Sequence, residues 1–271
     1  MIVQSAATGQ PHFVIQSTSH ARMAHQLSSH FGNKEFSSLN PLALMNYVVR
    51  NHEAGWDSLD EDPQWNPDTG LPYHLSAIPE LLHLQKGRLS PVFNEKHHPF
   101  CGLLSSMHEW GLYNRRYGLS EVALISEISK ENFDAVSTFL EEQLEYQEHL
   151  KRQLSACSET KSLVAPAALF NSYKLLEFFD TLALYFNRVH EEAWDTDTYN
   201  NVPINLESDT TVTIRPIRPH TVSLEPWPFC VRAFDISCEG RYLYPVRGGS
   251  EVRDVFRTTG VQTQTFTVAI E

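Results

Sequence analysis

The sequence predicts a mainly α-helical protein, a helical bundle over residues 1–195 followed by a C-terminal antiparallel β segment over residues 196–271. Three observations predict it. Phe133, Val136, Leu140 and Leu144 recur at spacings of three and four in a Glu/Gln/Lys-rich background, the stripe of a long amphipathic helix over residues 129–154. Residues 167–189 are apolar on most faces, as expected of a helix in the middle of a bundle. Beyond Asp195 the runs 210–214, 221–224, 229–234 and 264–268 alternate or are β-branched, with proline and glycine between them.

The remaining elements follow in chain order. Residues 12–16 read as a short strand, and Ser17, Thr18 and Ser19 supply N-cap candidates for a helix through His20, Met23, Ala24 and Leu27, which the Gly32-Asn33 pair stops. A second helix starts near Pro41, a residue suited to the first helical turn, and carries Leu42, Leu44, Met45, Val48 and Val49 up to His52. Residues 57–73 are rich in proline and Asx residues and read as a connector that holds no long helix. Two further helices are expected near residues 79–92 and 99–112, the latter leading through Leu103, Leu104 and Met107 to His108.

Composition bounds the function. A chain of 271 residues with 41% hydrophobic and 11% aromatic residues folds around a sizeable core as one large domain, or as a domain with an appendage. No segment approaches the roughly 18 unbroken apolar residues of a membrane span. Residues 1–10 lack a basic stretch followed by an apolar one, and Cys101, Cys157, Cys230 and Cys238 have no short paired spacing, so a cytoplasmic protein with free thiols is expected. A net charge of −12 argues against general nucleic-acid binding, which needs a clustered positive surface.

The chemistry-bearing residues lie on the helices. His52 and Glu53 form a histidine–carboxylate pair suited to a divalent cation, placed on or just past a helix end. Asp180 sits among Phe178, Phe179, Leu182 and Leu184, where a carboxylate needs a solvated stripe, a structural partner or a metal. His20 and His108 arrive on other helices. Positive charge to hold an anion is available from Arg115 and Arg116, after the His108 helix, and from Lys174, six residues before Asp180. His74, His97 and His98 fall in apparent loops, His25 points away from His20, and His83 stays open as a further ligand. Trp56 either stacks on a base or caps the core. No phosphate-cradling glycine loop, Gly-x-Ser-x-Gly elbow or cysteine-based zinc pattern competes with this set.

Taken in order, His20, His52-Glu53, His108 and Asp180 resemble the ligand layout of the HD superfamily of helical metal-dependent phosphohydrolases. More narrowly, the chain resembles an uncharacterised prokaryotic family, domain of unknown function 3891. The stretches that carry this likeness are Ser19-His20-Ala21, His52-Glu53-Ala54-Gly55-Trp56, Ser105-Ser106-Met107-His108, Leu175-Leu176-Glu177-Phe178-Phe179-Asp180 and Pro226-Trp227-Pro228-Phe229. The family brings no established activity. The superfamily resemblance implies an HD-like bundle that binds a divalent metal (manganese, magnesium, zinc, cobalt or iron) through His20, His52, Glu53 and Asp180. It makes His108 a second-metal ligand or general base, and Arg115, Arg116 or Lys174, taken from the need for positive charge, would steady the phosphate oxygens. The implied activity is hydrolysis of a small phosphoester or nucleotide, with no membrane partner. The alternatives are a di-iron oxygenase or an inactive ligand-binding or structural relative. Glu53 stands where the superfamily pattern has aspartate, and its extra methylene moves the oxygen by about an ångström or more.

Overall fold

The computed structural model describes residues 1–246 and 251–271. In chain order the elements are β1 (Ile2–Val3), β2 (His12–Ile15), α1 (Ser17–Ser28), α2 (Leu42–Asn51), a 3-10 turn (Ala54–Trp56), α3 (Asp57–Glu61), β3 (Trp65–Asn66), β4 (Leu71–Pro72), α4 (Glu80–Glu95) and α5 (Pro99–Tyr113). A one-turn segment α6 (Arg115–Gly118) leads to α7 (Phe133–Ser155) and α8 (Pro166–Arg188). The chain ends with β5 (Asp197–Pro203), β6 (Asp209–Arg218), β7 (Thr221–Glu225), β8 (Ala233–Leu243), α9 (Glu251–Thr258) and β9 (Gln262–Ala269).

The helices form where the periodicity places them, and their starts have local causes. Pro99 and Pro166 open α5 and α8 at a position where no backbone N–H is required, and the His98 side chain accepts from Phe100 N at the head of α5. The predicted run 229–234 becomes strand only from Ala233.

The expected fold class is overturned. The protein is 47% helical with 20% strand, and seven of its strands form one curled mixed sheet, a half-barrel, in place of a mainly helical bundle, while β3 and β4 pair apart from it. The sheet order is β1-β2-β8-β9-β7-β6-β5. Its first two strands come from the N-terminus, with β2 antiparallel to β8 from His12↔Leu243 to Ile15↔Gly240. The β7–β9 pair is parallel, and α9 intervenes between β8 and β9, so the C-terminal segment is neither wholly antiparallel nor wholly β.

The physical reason is visible on α8. Its apolar residues face in several directions because helices cover one side and the sheet covers another: α8 packs against α1, α2 and α5, and also against β1 and β5. One continuous core joins Phe179, Leu182 and Phe186 of α8 to Val212, Ile214, Val222, Ile236, Phe266 and Val268 of the sheet. The Phe186 and Phe266 rings stack at 5.5 Å. A helix apolar on most faces signals burial on several sides, and it does not say whether helices or strands supply the cover. Among the described residues no helix is long and apolar enough to cross a membrane.

Candidate metal centre

The helical side of α8 carries a buried polar cluster. α1 supplies His20, the end of α2 supplies His52 and Glu53, α5 supplies His108 and Glu109, α4 supplies Lys86, and α8 supplies Glu177 and Asp180, three residues apart on one face. Gly55 is what brings Glu53 to α4. A Cβ at this position would lie 2.4 Å from the Lys86 carbonyl oxygen and 2.7 Å from Ser90 Oγ, so only glycine lets the 3-10 turn approach so closely, and Gly55 N donates to Ser90 Oγ at 3.0 Å.

Each of the three histidines uses its Nδ1–H inside the protein. His52 donates to the Val49 carbonyl at 2.8 Å, His20 to Asn187 Oδ1 at 2.8 Å and His108 to Glu177 Oε1 at 2.8 Å. A carbonyl only accepts, which places the proton of His52 on Nδ1 and turns its Nε2 inward; the other two also direct Nε2 inward, His108 with a proton on it while no metal displaces it. His20 Nε2 lies 3.0 Å and His52 Nε2 3.5 Å from Asp180 Oδ1, and His108 Nε2 lies 3.8 Å from Glu53 Oε1. A lone-pair nitrogen facing a carboxylate oxygen is repulsive unless a proton or a metal ion sits between them. His52 Nε2 and His108 Nε2 are buried with no hydrogen-bond partner among the described residues. Histidines that donate Nδ1–H to fixed acceptors and present Nε2 to a shared point are arranged as metal ligands are.

The donor atoms fall into three overlapping groups, His20/His52/Asp180, His52/Glu53/His108 and His108/Glu177/Asp180, each with its atoms within 4.8 Å of one another. Imidazole with carboxylate suits first-row transition metals.

Two cations hold the far oxygens of the carboxylates. Lys86 Nζ lies 2.9 Å from Glu53 Oε2 and 2.8 Å from Glu109 Oε1, as ion pairs off the line of a directed hydrogen bond. Arg116 Nη2 donates to Asp180 Oδ2 at 3.0 Å, and Nε lies 3.0 Å from Glu177 Oε2. Burial alone pushes Glu53 and Asp180 toward the neutral acid. Lys86 with His108 outweighs it at Glu53, and the His20 and His52 contacts with Arg116 outweigh it at Asp180, so both carboxyls sit well below their ordinary range. Burial likewise disfavours charge on His108, but Glu177 and then Glu53 reverse this and raise it to about 10. Burial raises Glu109, with Lys86 opposing.

The structure brings together His20, His52, Glu53, His108, Asp180 and Arg116. It does not bring Arg115, which is exposed on a left-handed backbone (φ 52°) that continues through Arg116 (φ 49°) and Tyr117 (φ 57°). Lys174 is also outside the cluster, with Nζ on both Asp209 oxygens at 2.5 and 2.6 Å. The loop histidines are used locally: His97 stacks on Tyr47 at 3.6 Å, and His74 bonds Ser76 Oγ. His83 bonds the Tyr113 hydroxyl through Nδ1 at 2.9 Å, and burial, then Lys86, depresses it to about 3. Trp56 is buried beneath Lys86, whose Nζ is 5.4 Å from the ring centroid.

The sequence reading did not single out Lys86, Glu109, Glu177 or Asn187. A signal existed for Lys86, since the buried face of α4 is polar at helical spacing through His83, Lys86, Ser90 and Asn94. Glu177 and Asn187 share the Asp180 stripe at offsets of three and seven.

A family model described as "Protein of unknown function (DUF3891)" matches residues 1–244, a span that includes every residue of the cluster. The chain belongs to this family. Neither a curated protein nor a solved structure matches it. In this DUF3891 protein the polar cluster surrounds a void of about 20 Å³ bordered by His20, Glu53, Lys86, His108 and Asp180, room for one small ion or water. Beside it lies a cleft of about 710 Å³ whose walls include Arg116, Lys174, Glu177, Tyr185, Arg188 and Tyr199. Leu124 and Leu184 border both spaces.

Proposed function

We propose that this protein is a metal-dependent hydrolase of phosphoesters, with a divalent transition metal held by His20, His52 and Asp180, with Glu53 as a further ligand, and flanked by His108. The observation that carries the reading is the inward aim of the three Nε2 atoms at buried carboxylate oxygens, contacts that need a proton or a metal ion between them. Charge counting supports it. Glu53, Glu109, Glu177 and Asp180 face Lys86 and Arg116, and His108, raised to about 10, carries a proton until a metal displaces it; once that proton leaves, two negative charges remain, the deficit that one divalent ion fills. The metal supplies Lewis acidity that lowers the pKa of water near neutrality.

The chain's own groups do the rest. Arg116, at the junction of cluster and cleft, fixes Asp180 and Glu177 and presents a guanidinium edge to an anion entering from the cleft. Glu177 orients His108 through Nδ1, which leaves Nε2 to hold or pass a proton. The cleft volume falls in the range of small-molecule sites, about 300–1,000 Å³, so a substrate the size of a nucleotide or sugar phosphate fits. The likeness to HD phosphohydrolases belongs to the same reading, on the strength of the ligand order.

One observation favours a second reading, a structural polar cluster without catalysis: Lys86 and Arg116 already pair with all four carboxylates. The test is phosphate release from a panel of phosphomonoesters, phosphodiesters and nucleotides by protein loaded separately with manganese, cobalt, zinc or iron. The hydrolase reading expects metal-dependent turnover that Asp180→Asn abolishes. No turnover with any metal, or turnover unchanged in Asp180→Asn, refutes it.

A further inference from the structure

We propose that the centre holds a single metal ion and that the Lys86 ammonium permanently occupies the place of a second; this rests on the metal reading above. Lys86 is 1% exposed, and its charge lies between two carboxylates, 2.9 Å from Glu53 Oε2 and 2.8 Å from Glu109 Oε1. A cation shared by a ligand carboxylate and a second buried carboxylate is the arrangement of a bridged metal pair, with nitrogen in the place of the second ion. Two-metal sites hold their ions about 3.5–4 Å apart and need carboxylates free to bridge them. Here Glu53 Oε2 faces the ammonium and Oε1 faces His108 Nε2 at 3.8 Å, so Glu53 offers one oxygen to one ion.

Space and charge agree. The void of about 20 Å³ between His20, Glu53, Lys86, His108 and Asp180 accepts one small ion. A second divalent ion would turn the deficit of two negative charges into an excess of two positive ones in a buried site, at a large cost in desolvation. The site around Lys86 is built to keep the ammonium in place: Trp56 covers it with its ring 5.4 Å away, and the glycine at position 55 admits its backbone. Lys86 is therefore a positioning residue that aims Glu53 and sets the metal count.

The experiment measures manganese stoichiometry on chelator-stripped full-length protein, by calorimetric titration and by elemental analysis after gel filtration, with the paramagnetic resonance spectrum of bound Mn²⁺ as a second readout. Wild type is expected to bind one ion per chain with the six-line spectrum of an isolated ion. Lys86→Met, prepared in manganese, is expected to bind two, a twofold rise, with the spectrum of a coupled pair. Adding Glu109→Gln to Lys86→Met removes the second carboxylate and should return the count to one. Two ions in the wild type overturn the inference whether or not Lys86→Met folds, and so does one ion in a folded Lys86→Met. No ion in the wild type overturns the metal reading itself, a distinguishable result.

Discussion

Asp180→Asn places the greatest demand on the proposed centre, because Asp180 meets His20 at 3.0 Å through Oδ1 and Arg116 at 3.0 Å through Oδ2 while buried to 4% exposure. The substitution keeps the shape and removes the charge. Breaking a buried ion pair by neutralising one partner costs about 3–5 kcal/mol, and because Arg116 keeps Glu177 at 3.0 Å, the lower end, about 3 kcal/mol, is expected. In a chain of this size that lowers the melting temperature of the metal-free protein by about 6–12 °C. A metal ion at about a hundred times its dissociation constant stabilises the wild type by about 2.7 kcal/mol through mass action, a rise of several degrees. Asp180→Asn keeps one oxygen but no charge; Arg116 claims that oxygen, the carboxamide turns its NH2 toward His20 and His52, and the variant should show none of that rise. Calorimetric melts of stripped protein, with and without Mn²⁺, read both quantities. A mutant that melts lower yet keeps the full metal-induced rise refutes the assignment of Asp180 as a ligand, and a wild type indifferent to every metal refutes the centre.

Three further perturbations have defined outcomes. Gly55→Ala drives a Cβ to within 2.4 Å of the Lys86 carbonyl and should cost about 1–3 kcal/mol while lowering metal affinity through Glu53; unchanged melting and affinity would show that the close approach is unimportant. Glu53→Asp should weaken metal binding by about 10–100-fold, because the shorter side chain withdraws from Lys86 Nζ, 2.9 Å from Oε2 in the wild type; equal or tighter binding would mean that Lys86 does not set the position of this ligand. His83, held down to about 3 by burial, is neutral in the folded protein, whereas the unfolded state binds its proton below about 6.5. Its contribution to stability is therefore complete above pH 6.5 and lost as pH falls toward 3, about 2 kcal/mol between pH 7 and 5, and melts of His83→Gln should fall less steeply over that interval than those of the wild type; parallel curves would contradict a buried neutral His83.

How much of this was legible depends on where each signal lies in the chain. The long helices announce themselves through local spacing, as in Phe133, Val136 and Leu140, and the ligand candidates through polar residues placed in apolar helices, as with Asp180 beside Phe179. The half-barrel is not legible in that way. Pairing Ile15 with Gly240 is a long-range match with no local trace, and the apolar faces of α8 look the same whether a helix or β9 covers them. Lys86 escapes for a different reason: a buried lysine breaks the burial preference of its residue type and is tolerated only where carboxylates such as Glu53 and Glu109 surround it, a fact of tertiary structure. Arg115 and Arg116 are adjacent in sequence and part company because the left-handed turn sends one outward and the other into the cluster.

Anomalous diffraction from crystals grown with Mn²⁺, collected on both sides of the manganese absorption edge, tests the central claim most directly. A single anomalous peak is predicted at about 2.0–2.2 Å from His20 Nε2, His52 Nε2 and Asp180 Oδ1. Density without a peak there, with His20 still on Asp180 at about 3.0 Å, would contradict it.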